Sequence, residues 1–166
     1  MTATEMLDKL LRAYAAYYDV NRKHPAPPFA AEAAFRSHTE QYFLVRRARL
    51  AEAESNEYVY FALEENLTTP LLRALDGAAW NAGTAHITPH KDHRNSDVTL
   101  LILASTVEPD AAALIPKLKH YQSYLFGFQG WSHFRLAAVS ADTGKIYCNH
   151  QGKTLSKFLK RNLNLR

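Results

Sequence analysis

Three histidines and an aspartate crowd the segment His86-Ile87-Thr88-Pro89-His90-Lys91-Asp92-His93. Imidazole and carboxylate groups are ligands for zinc and similar metals. His86, His90, His93 and Asp92 are therefore candidate ligands for a divalent metal, and with it for a metal-dependent enzyme. A second chemistry for the same segment pairs His90 or His93 with Asp92 or Asp97 as an acid or base near neutral pH. The plainer reading is a polar loop whose imidazoles satisfy backbone groups. Pro89 argues against one regular helix through the segment, so spacing alone does not put the three rings on one face.

Two further segments carry residue types suited to binding. Phe126-Gly127-Phe128-Gln129-Gly130-Trp131 alternates glycine with large rings. Such rings either close a core or offer a stacking platform, with Phe128 and Trp131 as the candidate stacking residues. Core closure is the expectation. Near the C-terminus, Gly152-Lys153-Thr154 has the end of a phosphate-binding loop, but the earlier glycine of that motif is replaced by Tyr147, which rules out a nucleotide triphosphatase of that type. What remains is a candidate anion site: free amides at a helix start with Gly152, Lys153 and Thr154, extended by Lys157, Lys160 and Arg161.

Charge supports that reading. Residues 1–110 hold 11 Lys and Arg against 15 Asp and Glu, whereas residues 111–166 hold 9 against 1, so −4 and +8 make the net +4 of the 166-residue chain. A basic third attracts phosphate, nucleic acid or an acidic protein, although a solvated helix face produces the same count. Cys148 has no partner for an internal disulfide, no signal-like apolar run follows Met1, and no apolar stretch approaches membrane-spanning length. The expectation is a cytoplasmic protein without a membrane partner. Cys148 itself reads as a packed thiol, and no serine stands in a glycine-flanked elbow.

The elements that must hold these segments follow from periodicity. Leu7, Leu10, Leu11, Tyr14 and Tyr18 make a helical stripe capped by Thr2 or Thr4. Prolines 25, 27 and 28 impose a loop. Strands are expected at 29–36, 41–50 and 57–63 as an antiparallel meander. Thr69-Pro70 opens a helix to about Asn81, stopped by Gly83. The apolar run 98–104 predicts a central strand covered on both faces. Leu114, Leu118, Tyr121 and Leu125 predict a helix bent or delayed by Pro116 and ended by Gly127. Strands at 134–140 and 145–149 flank a tight loop, and Thr154 caps a last helix carrying Leu155, Phe158, Leu159 and Leu163. The order αβββαβαββα predicts a single α+β (or α/β) domain over residues 1–166, with helices packed on one mixed β-sheet.

Together, Pro89–His93, Phe126–Trp131 with Arg135-Leu136, and Gly152-Lys153 resemble a small bacterial family of unknown function over nearly the whole chain. That resemblance implies no activity. The element order also resembles restriction-endonuclease-like domains, which begin with a helix and a three-stranded meander. Such enzymes hold a metal through acidic residues and a lysine on the second and third strands. Here Phe43–Arg47 has no carboxylate and Glu57-Tyr58-Val59 lacks the lysine, so a nuclease of that type is not expected. The leading expectation is a binding or adaptor domain whose basic third meets an anionic partner such as nucleic acid. A metal-dependent enzyme and a protein-interaction domain using apolar surface are the alternatives.

Overall fold

The computed structural model describes residues 1–35, 55–88 and 95–165. The first helix, α1 (Ala3–Tyr14), begins at Thr2, whose hydroxyl accepts from the Glu5 amide while the Glu5 carboxylate accepts from the Thr2 amide. This reciprocal cap satisfies two of the donors a helix start leaves open. Leu7, Leu10, Leu11 and Tyr14 are buried along one stripe, each apolar side chain contributing about 1.5–3 kcal/mol by leaving water.

Strands β1 (Asp19–Asn21), β2 (Ala31–Phe35) and β3 (Ser55–Leu67) are successive antiparallel neighbours. Two of the three expected meander strands, at 29–36 and 57–63, are present as β2 and β3 and pair directly with each other, while β1, at the start of the expected proline loop, adds a strand on the other side of β2. The expected strand at 41–50 lies outside the described residues. Helix α2 (Thr69–Ala85) crosses to β4 (Asn95–Val107), which runs parallel to β3. Its cap is Thr68 rather than Thr69, and Gly83 lies inside the helix instead of stopping it. The reason for glycine there is space, because a Cβ would stand 2.5 Å from Val98 Cγ2.

The helix expected through Leu114, Leu118, Tyr121 and Leu125 is not formed. Helix α3 (Pro109–Leu114) passes into a 3-10 turn at Ile115–Lys117, and Tyr121 opens a short strand, β5 (Tyr121–Ser123). Pro116 denies a continuing helix its donor, and antiparallel pairing of Tyr121, Gln122 and Ser123 with His133, Ser132 and Trp131 replaces it. Strand β6 (Trp131–Ser140) runs parallel to β4, and β7 (Ile146–Cys148) pairs with its far half. A 3-10 turn at Gln151–Leu155 leads into α4 (Ser156–Leu163). Thr154 does not cap that helix; its hydroxyl donates to the Gln151 carbonyl.

Among the described residues seven strands form one mixed sheet in the order β1-β2-β3-β4-β6-β5, with β7 beside β6. Helices α1 and α4 share one core with Val59, Phe61, Leu101, Leu103, Ala137 and Val139. On the other face α2 packs over Tyr58, Tyr60, Leu100, Ile102, Phe134 and Leu136. As expected for an apolar run, β4 is buried on both faces. No helix among the described residues is long and apolar enough to cross a membrane.

Candidate functional site

The parallel register brings one end of β3, β4 and β6 together. Glu57 stands beside Asp97 and Asp97 beside His133, while the next row on the same face holds Val59, Thr99 and Arg135. Arg135 donates through Nη2 to Asp97 at 2.6 Å and through Nη1 to Glu57 at 3.3 Å. Thr99 donates to Glu57 at 2.7 Å, and the Tyr18 hydroxyl donates to the other oxygen of the same carboxylate. Both carboxylates are buried. Burial pulls the pKa of the guanidinium down, but Glu57 and Asp97 outweigh it and leave the pKa raised. The cluster thus sets two carboxylates against one guanidinium, with both Glu57 oxygens and one Asp97 oxygen already engaged by protein donors, and the half-buried cation between them makes it a poor place for a metal. The cation that Val59 does not supply beside Glu57 arrives from β6, two strands away.

Of the proposed metal ligands, His86 is exposed at the end of α2, stacked on Tyr58 with ring centroids 5.0 Å apart. Tyr58 belongs to the α2 face, opposite the Glu57–Asp97 row. His90, His93 and Asp92 lie outside the described residues. Among the described residues no group of three metal-ligating side chains converges.

The glycine-aromatic segment overturns the expectation of core closure. Phe126 is 95% exposed and Phe128 80%, with Leu125, Tyr121 and, at 37%, Trp131 also exposed. The backbone explains the display. Leu125, Phe126 and Gly127 have φ of 48°, 54° and 89°, and Gly130 has 85°. Left-handed geometry at two successive non-glycine residues is unusual and costs energy, and such strain gathers where a loop has work to do. The Tyr124 carbonyl accepts from Gly127 and Gln129, and the Tyr124 amide donates to Gly130, closing the loop. Tyr121 and His133 pair across the strands with centroids 5.2 Å apart.

The Gly152 segment is bonded differently from the expected anion site. Its amide donates to Asn149 Oδ1 at 2.7 Å and is not free for a ligand. The same Oδ1 accepts from the Leu136 amide, while Asn149 Nδ2 donates to the Phe134 and Leu118 carbonyls, each at 3.0 Å. Asn149 fills the gap between β5 and β7 along the edge of β6. Gly152 is required because a Cβ would lie 2.1 Å from the Leu136 carbonyl oxygen. Lys153, Thr154, Lys157, Lys160 and Arg161, in contrast, are all exposed. The helical period sets Lys157, Lys160 and Arg161 opposite buried Leu159 and Leu163.

Sequence reasoning missed Arg135, Asp97 in its ion-pair role, and Asn149. A charge inside an apolar strand was the available signal for Arg135, and an asparagine three residues before a glycine for Asn149. The family model described as a domain of unknown function (DUF8052) matches residues 2–161, in agreement with the resemblance to an uncharacterised family. No curated protein and no solved structure matches the chain.

Proposed function

The chain belongs to the DUF8052 family, and we propose that this member is a binding domain whose C-terminal helix meets a phosphate-bearing polyanion. One observation carries the reading: Lys153, Lys157, Lys160 and Arg161 are exposed together, and no Asp or Glu occurs from Thr143 to the end of the chain. Among the described residues none of the four is in an ion pair. Lysines held apart from carboxylates keep their attraction for an external anion, whereas interspersed charges neutralise one another. The contact is electrostatic, through side chains, since the Gly152 amide is occupied.

Titration of a labelled oligonucleotide in increasing salt tests this. Four phosphate contacts release counterions and give a slope of log K against log salt of roughly −3. The variant Lys157→Glu/Lys160→Glu, altered only at exposed positions, should bind at least about tenfold more weakly with a shallower slope. Undiminished binding in that variant, or none by the parent protein at low salt, sinks the proposal.

A further inference from the structure

We infer that the β5–β6 hairpin, with Phe126 and Phe128 at its tip and Tyr121 and Trp131 on its strands, is a stacking site for unpaired bases, which makes the polyanion a single-stranded nucleic acid. The inference rests on the polyanion reading and adds the class of partner. Four of the five large apolar side chains exposed here are aromatic, and Phe126 and Phe128 present nearly their whole surface to solvent. Every base has a flat face that stacks on such rings regardless of sequence. Charge is complementary as well. No Asp or Glu occurs between Ala111 and Ala141, while Lys117 and Lys119 are exposed just ahead of β5.

The competing occupant is a lipid surface, since aromatic and basic residues also sit at bilayer interfaces. Two features favour bases. The rings are divided between a loop tip and strand positions, with Trp131 and His133 on one side of β6, rather than gathered at a single apex. Polar Gln122, Ser123 and His133 are interleaved with them. Burying those polar groups in hydrocarbon is costly, whereas base edges give them hydrogen-bond partners. The strained backbone at Leu125 and Phe126 presents these two residues outward when a relaxed turn would not require left-handed geometry.

The test uses the full chain with three labelled probes at low salt: a twelve-nucleotide oligothymidine, an abasic strand of equal charge, and a duplex. Anionic vesicles serve as a fourth. The parent protein should bind oligothymidine at least about tenfold more tightly than the abasic strand, as stacking on two bases requires. The variant Phe126→Ala/Phe128→Ala should lose about tenfold or more on oligothymidine and nothing on the abasic strand. Both rings are exposed, and an unchanged circular dichroism spectrum and melting temperature will show the fold intact. Equal affinity for base-bearing and abasic strands overturns the stacking site while leaving the polyanion reading standing. A preference for duplex overturns it too, as does a variant defect confined to vesicles or to self-association of the protein. Absence of binding to every probe overturns both readings.

Discussion

Replacing Gly152 by alanine adds one methyl group at a point where the structure has no room for it. The new carbon would lie 2.1 Å from the Leu136 carbonyl oxygen, 2.8 Å from its carbon and 2.9 Å from Asn149 Oδ1. An ordinary contact begins at 3.4 Å, so the turn must withdraw from β6 by more than an ångström. That movement pulls directly on the Gly152-to-Asn149 bond of 2.7 Å and on the bond of 3.0 Å from the Asn149 amide to the Leu136 carbonyl. Overpacking costs about 1–3 kcal/mol, and each buried group left unpaired about the same, so the expected loss is about 3–5 kcal/mol. A domain of this kind holds only about 5–15 kcal/mol in total. Urea unfolding followed by circular dichroism should show a lower midpoint with little change in slope. A loss below about 1 kcal/mol would refute the reasoning, because it would mean the turn relaxes freely. Lys153→Glu is the counterpart. It should leave the urea midpoint unchanged within about 0.5 kcal/mol and weaken polyanion binding, separating the lock from the charge beside it.

Two further outcomes follow from the titratable groups. Arg135→Met leaves Glu57 and Asp97 side by side without their shared cation, which should cost about 2–3 kcal/mol near neutrality, less than a fully buried pair because the guanidinium is partly exposed. The variant's urea midpoint near neutrality should fall accordingly, and a midpoint equal to the parent's would contradict the assignment. Burial pushes the Cys148 thiol up to about 11, against a lowering by Lys153. At about pH 8 that leaves roughly one thiolate in a thousand, so a thiol reagent should label the folded protein about two-hundredfold more slowly than the chain in urea. Equal rates would show the thiol to be ordinary.

What was legible in the sequence was what depends on local pattern. The stripe of α1, the two-sided burial of β4 and the loop before β7 are each written within a dozen residues. The 114–125 segment shows how the same reasoning fails: its leucines keep a helical spacing, but Pro116 and pairing with β6 decide the outcome, and the pairing partner lies farther along the chain. The Glu57–Arg135 contact spans 78 positions and Arg135–Asp97 spans 38, so no window could join them. Gly152-Lys153-Thr154 was misleading in a different way. A glycine needed for close approach to a carbonyl looks the same in sequence as a glycine needed for close approach to a phosphate. In the aromatic hairpin the residue types were read correctly and their direction was not, because periodicity says nothing about which way a left-handed turn throws its rings.

Asn149 also does for β6 what a longer neighbouring strand would otherwise do. β5 covers Trp131–His133 and β7 covers Ala137–Val139, leaving a short length of open edge between them. A side-chain amide occupies it, donating to the Phe134 carbonyl and accepting from the Leu136 amide as a paired backbone would. An uncovered edge is a template on which another chain can add a strand. Loss of that amide would therefore threaten solubility as well as stability: a protein weakened at Asn149 would offer its neighbours the one stretch of the β6 edge that neither flanking strand covers, and its decline would depend on concentration in a way that simple unfolding does not.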